Sequence, residues 1–127
     1  MTSTSAWTVQ ELDRIEHAEE LEIASARRSE ELGSRRTIWV VRVGDGIYVR
    51  SVNGLGSDWY RGTRARQEGR IQAGGVENDV TIIDADDEVK DAVDSAYRTK
   101  YGHYAAYIVK AITSPEASST TMRLEPR

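Results

Sequence analysis

The chain has no cysteine, no phenylalanine and only two histidines in 127 residues. The first absence excludes disulfides, thiolate catalysis and Cys-ligated metals. Neither His17 nor His103 lies in an HExxH or other paired-ligand spacing. Asp84, Asp86, Asp87 and Glu88 do not occupy the positions of an EF-hand loop, so no metal site is expected. Without Phe, aromatic packing falls to Trp7, Trp39, Trp59 and six tyrosines. No apolar run approaches the about 20 residues that a membrane span needs. The N-terminal MTSTSAWTVQELD has neither the basic start nor the apolar centre of a signal peptide. A cytoplasmic protein with no membrane partner is expected, folded as a single domain over 1–127.

Basic residues are scarce overall but unevenly placed. The chain carries a net charge of −4, with 21 acidic and 17 basic side chains. Between residues 35 and 70, however, eight arginines face only Asp45, Asp58 and Glu68. The flanking thirds are acidic. An acidic protein has thus placed a basic patch beside a glycine-bearing loop, the pattern of a phosphate-binding corner. The acid excess disfavours a large nucleic-acid footprint.

Local signals order the chain. Thr8 and Glu11 form a capping box, and Val9, Leu12 and Ile15 mark a helix ending near Ala18. Leu21 to Ala26 alternates as a strand, and Arg28 to Arg36 reads as a loop. Thr37–Val43 and Ile47–Val52 are β-rich runs around Gly44-Asp45-Gly46, which predicts an antiparallel hairpin with Tyr48 and Arg50 on one face. Asn53-Gly54-Leu55-Gly56 is a loop, Ser57 a cap, and Asp58 to Arg66 a short helix. Arg70–Ala73 and Val76–Ile83 are strands about a Gly74-Gly75 bend. A longer helix runs from the acidic Asp84–Asp87 to Tyr101, with Val89, Ala92, Val93, Ala96, Tyr97 and Tyr101 as its apolar stripe. Tyr104 to Ala111 fits a helical turn or a strand equally well. Ser114-Pro115-Glu116 starts a turn or short helix, and Thr120 to Leu124 is a last strand. About six strands joined by hairpins, with three helices, favour an α+β fold: a small antiparallel barrel with peripheral helices.

The run YVRSVNGLGSDWYRGTRARQEGRIQAGG resembles the FMN-binding split-barrel superfamily of pyridoxamine-phosphate-oxidase-like and deazaflavin-dependent proteins. Across nearly its whole length the chain is similar to the uncharacterised bacterial family labelled domain of unknown function 2255. That likeness is carried by WTVQELDRI, TIWVVRVGDGIYVRSVNG, WYRG, GGVENDV, AYRTKYG and SPEASSTTMRL. The superfamily resemblance implies a split barrel of about six strands and a two-fold homodimer with the cofactor at its interface. It also implies a phosphate of FMN or a deazaflavin coenzyme bound where the hairpin meets the short helix. Carried onto this chain, Arg50 and Ser51 become the first phosphate ligands. Ser57, Arg61 and Arg64 join them from the loop and helix, Asn53 lies in the loop, and Trp59 is a candidate to stack on the ring. Guanidinium forks, a hydroxyl and helix N-terminal N–H groups suit a phosphate dianion.

Three readings follow. The first is a small flavin- or deazaflavin-dependent oxidoreductase whose cofactor does the chemistry, since no nucleophile or general base is legible. The second is a non-catalytic split barrel that serves as a binding or structural domain. The third is a binder of anionic ligands or nucleic acid through Arg61, Arg64, Arg66 and Arg70. Trp39 is read as core or interface. Tyr97, Lys100 and Tyr101 share a helix face that either rims a pocket or packs. Apolar surface on Trp39, Tyr48, Trp59 and Tyr107 points to a homodimer.

Overall fold

The computed structural model describes residues 6–25, 35–52, 54–56 and 58–127. Among these residues the elements run α1 (Val9–His17), β1 (Leu21–Ser25), β2 (Arg36–Ile38), β3 (Val41–Val43), β4 (Gly46–Val49), a 3₁₀ turn (Gly54–Gly56), α2 (Asp58–Arg66), β5 (Glu68–Ala73), β6 (Val76–Asp84), α3 (Asp87–Tyr101), α4 (Ala106–Ile112), α5 (Pro115–Ser118) and β7 (Met122–Pro126). The capping box at Thr8 forms as expected: the Glu11 N–H donates to Thr8 Oγ1, and the Thr8 N–H donates to Glu11 Oε1. The ambiguous stretch after Tyr104 is helix α4.

Seven strands make one antiparallel sheet in the order β2-β1-β5-β6-β7-β4-β3. It curls into a split half-barrel with the helices outside. The sequence led us to expect one strand from Thr37 to Val43. That run is instead cut in two, and its halves lie at opposite edges of the sheet. Arg36–Ile38 pairs with β1, with Leu21 opposite Ile38, whereas Val41–Val43 pairs with β4, with Val41 opposite Tyr48. The hairpin itself holds, but β4 ends at Val49, before Arg50.

The link between the halves, Trp39-Val40, has no ladder partner, and buried backbone groups need one. Helix α3 supplies it. The Val40 N–H donates to Tyr101 Oη at 3.1 Å, and Lys100 Nζ donates to the Val40 carbonyl at 2.8 Å. The Tyr101 hydroxyl hydrogen reaches the Glu19 carbonyl at 2.8 Å.

Strand alternation then divides the apolar residues between two cores. Ile47 and Val49 point into the barrel with Leu21, Ile23, Ile71, Val80, Ile82 and Leu124, and Leu12 and Ile15 of α1 close one side. Tyr48 points outward. With Val41 it packs under α3 and α4 against Val93, Tyr97, Tyr101 and Ile112. Trp7 is buried at the first core and its indole N–H donates to the Leu124 carbonyl at 2.9 Å. At the β5–β6 turn, Gly74 has φ +58°, and a Cβ there would lie 2.3 Å from the Arg14 carbonyl oxygen. Glycine therefore lets α1 rest directly on the turn. Among the described residues no helix is long and apolar enough to cross a membrane.

Candidate ligand-binding site

Arg50 follows Val49 on the Tyr48 side of the chain, so it enters the outer core beneath the helices. Its side chain is 0% exposed. Nε donates to Thr121 Oγ1 at 2.9 Å. Nη1 donates to Asp94 Oδ1 at 2.5 Å and to the Ile112 carbonyl at 3.1 Å. Nη2 donates to the Lys90 carbonyl at 3.1 Å and to Ser118 Oγ at 3.3 Å. A guanidinium has five N–H groups, and here each has a partner. The superfamily resemblance implied Arg50 as a first phosphate ligand; in the fold it ties α3, α4, α5 and the lead into β7 together. Its carbon also lies 5.5 Å from the Tyr97 ring centre.

Ser51 is buried and engaged as well. Its N–H donates to Thr120 Oγ1 at 2.8 Å and its hydroxyl to the Gly54 carbonyl at 2.9 Å. That bond folds the glycine loop back onto the hairpin end, where Gly54 adopts φ +77°. Asn53 and Ser57, the other loop candidates, lie outside the described residues.

Helix α2 carries the remaining candidates and scatters them. Trp59 is half-buried and packs against the barrel core. Arg61 and Arg64 are exposed and line a shallow depression with Tyr60. Arg64 pairs with Asp84 at 3.0 Å, and that carboxylate holds its pKa above the usual arginine value. Arg70 is on β5, not α2, and pairs across the hairpin with Asp79 at 2.8 Å and Glu77 at 3.6 Å. Two members of the arginine cluster are therefore matched to acids.

The shared face of Tyr97, Lys100 and Tyr101 is a packing face. Both tyrosines are buried, and burial raises their hydroxyl pKa values, with Arg50 pulling that of Tyr97 the other way. Among the described residues the Tyr97 hydroxyl has no hydrogen-bond partner. Lys100 is half-buried against the Val40 carbonyl, and desolvation lowers its pKa to about 8, with Glu19 and Glu16 opposing. On α1, Asp13, Glu16 and His17 bring ligand-type atoms within 4.8 Å of one another, all on exposed side chains. The His17 Nδ1–H is already spent on the Asp13 carbonyl at 2.8 Å.

The concave feature that best fits an organic ligand opens where the Thr37–Trp39 segment leaves the sheet edge. It encloses about 310 Å³. Ile38, Trp39, Val52, Trp59, Ile108 and Ile112 give it apolar lining, and Glu20, Thr37 and Arg50 line it as well. Trp39 is held in place from behind: it stacks on Tyr101 with ring centres 3.9 Å apart and planes within 2°. Its second neighbour, Tyr104, hydrogen-bonds Glu19. A volume near 300 Å³, apolar walls and a few polar groups are typical of a small-ligand site.

Sequence reasoning named Trp59 in this set but missed Trp39, Val52, Ile108 and Ile112 as cavity walls. Val52 did carry a signal, being an apolar residue at the end of a hairpin, and it remains 52% exposed. The α4 residues carried none, because their helical state was itself undecided.

A curled antiparallel sheet with outer helices and an aromatic-walled cavity at its split defines an α+β split-barrel protein. The chain belongs to the family described as an uncharacterized protein conserved in bacteria, DUF2255, whose profile matches residues 11–124. Solved structures share the fold. An FAD-binding protein from Mesorhizobium loti is 13% identical, with a TM-score of 0.58 over 95% of this chain and 89% of that one. A putative pyridoxamine 5′-phosphate oxidase from Listeria innocua is 12% identical, with a TM-score of 0.58 over 91% and 88%. An F420 reductase is 11% identical, with a TM-score of 0.56 over 91% and 90%. No curated protein matches in sequence. At these identities the likeness is one of fold.

Proposed function

We propose that this chain binds a flavin-type ring in the cavity between Trp39 and Trp59. The observation that carries the reading is that two tryptophans, Trp39 and Trp59, line one largely apolar cavity, with Trp39 braced by Tyr101. Flat aromatic ligands gain most from such walls, through offset stacking and buried apolar area. The fold adds support, because similar structures are titled an FAD-binding protein, a pyridoxamine 5′-phosphate oxidase and an F420 reductase.

The residues fit the ring half of such a cofactor better than its phosphate half. Trp39 and Trp59 would flank the ring, and Ile38, Ile108 and Ile112 would exclude water. A bound flavin or deazaflavin supplies electron or hydride transfer, and the chain's part is to hold and shield it. FMN and the deazaflavin coenzyme are the cofactors of this proposal, and a small oxidoreductase is the activity it implies. The cytoplasmic location stays part of it, to be read by fractionation of the native cells. A second copy of the chain is its proposed partner, since Val52 and Tyr107 expose apolar surface, 52% and 76%, beside the cavity.

A second reading has its own observation. Arg50 and Ser51 are consumed by internal bonds. That favours a non-catalytic binding or structural domain.

Titration with FMN, riboflavin and a deazaflavin, followed by tryptophan fluorescence, separates the two. The ring site predicts saturable quenching that Trp59→Ala weakens by roughly tenfold, the size of one lost aromatic stack of about 1.5 kcal/mol. Absence of quenching with all three ligands favours the non-catalytic reading.

A further inference from the structure

We propose that the cavity grips a flavin-type ligand by its flat ring, and that Arg50 and Ser51 at the hairpin end give no bond to a phosphate, so that the ring binds there as well without a phosphate as with one. The inference rests on the ring site proposed above and adds which part of the ligand the chain recognises. Among the described residues, Arg50 is the single basic side chain on the cavity wall. Its five N–H groups end on Thr121, Asp94, Ser118 and the carbonyls of Ile112 and Lys90.

A phosphate would have to take a fork away from Asp94. That would strand a carboxylate only 19% exposed, which is strongly unfavourable. Ser51 offers no alternative, since its hydroxyl and its N–H are both spent inside the chain. Among the described residues, the other ionisable side chain lining the cavity is an acid, Glu20, which repels an anion. Arg61 and Arg64 face a separate depression on α2. Among the described residues, what remains on the wall for recognition is indole surface and aliphatic side chains, and these select for shape.

Riboflavin and FMN share one ring and one ribityl chain and differ by a phosphate dianion, so they make the test. The wild-type full-length chain is titrated with each at two salt concentrations and read by tryptophan quenching. The expected result is dissociation constants within about threefold of each other, or favouring riboflavin, with the FMN value not weakened by salt. A preference for FMN of about tenfold or more, the scale of one charge-assisted hydrogen bond, overturns the inference and leaves the ring site standing. So does FMN binding that weakens with salt. Quenching by neither ligand overturns the ring site, and this inference with it. Arg61→Ala provides a second arm: unchanged FMN binding supports the inference, whereas selective loss of FMN but not riboflavin overturns it.

Discussion

Arg50 sits two residues beyond the outward-facing Tyr48, and that parity decides its fate. A side chain on the barrel side would have met Ile47 and Val49. On the helix side it meets Asp94, three hydroxyl or carbonyl groups of the α4–β7 region, and the end of the Lys90 turn. Removing one partner of a buried pair leaves the other charge uncompensated and typically costs about 3–5 kcal/mol. Asp94 keeps some solvent contact at 19% exposure, so the lower end applies. Arg50→Met should destabilise the chain by about 3 kcal/mol, a large share of a normal folding free energy of about 5–15 kcal/mol. Arg50→Met with Asp94→Leu should recover part of the loss, because the stranded carboxylate is gone. Urea unfolding followed by tryptophan fluorescence measures both. A loss under about 1 kcal/mol in the single variant, the scale of an exposed ion pair, would show that the network is peripheral.

Elements meet through backbone groups at two places. Trp39-Val40 crosses from one sheet edge to the other and is held by Tyr101 and Lys100 of α3. Gly74 brings the β5–β6 turn against the Arg14 carbonyl of α1. Gly75 next to it also has a positive φ, +86°, but among the described residues nothing lies within 4 Å of where its Cβ would be. The pair therefore separates backbone strain from steric contact. Gly75→Ala should cost about 1 kcal/mol, the usual penalty for a left-handed residue. Gly74→Ala adds a methyl group 2.3 Å from a backbone oxygen, so α1 must shift off the turn. Its cost should exceed that of Gly75→Ala by at least about 1 kcal/mol, seen as a lower thermal midpoint. Equal midpoints for the two variants would mean that α1 does not rest on the turn.

At the scale of the molecule, the two cores leave a few large apolar side chains uncovered. Tyr48, expected as surface, is 5% exposed and belongs to the outer core, whereas Tyr107 is 76% exposed on α4 and Val52 is 52% exposed. Tyr107 is on α4, the helix that also supplies Ile108 and Ile112 to the cavity lining. Exposed apolar surface beside a concave site favours closure by a symmetric partner. Light scattering on the purified chain at micromolar concentration should give twice the 14.2 kDa mass. Tyr107→Glu should shift it towards monomer. A wild-type mass of one chain removes the dimer from the proposal.

The sequence alone determined the elements whose signals are local. The Thr8 capping box, the GDG turn, the Asp58–Arg66 helix and the Val76 strand each rest on neighbours a few residues apart, and each is in place within a residue or two. The count of hairpin strands was enough to reach a small antiparallel barrel with outer helices, and the superfamily resemblance implied that the barrel is split. Tertiary structure alone decided three other matters. It broke Thr37–Val43 into two edge strands, because sheet closure, not β-propensity, sets which partner each half finds. It turned α4 helical, since a short apolar run has no periodicity of its own to choose with. It also drew the arginine of an apparent phosphate corner into an internal network. Asp94, Ser118 and Thr121 lie 44, 68 and 71 positions away along the chain, and no local pattern reports which acid or hydroxyl the fold will bring to a guanidinium.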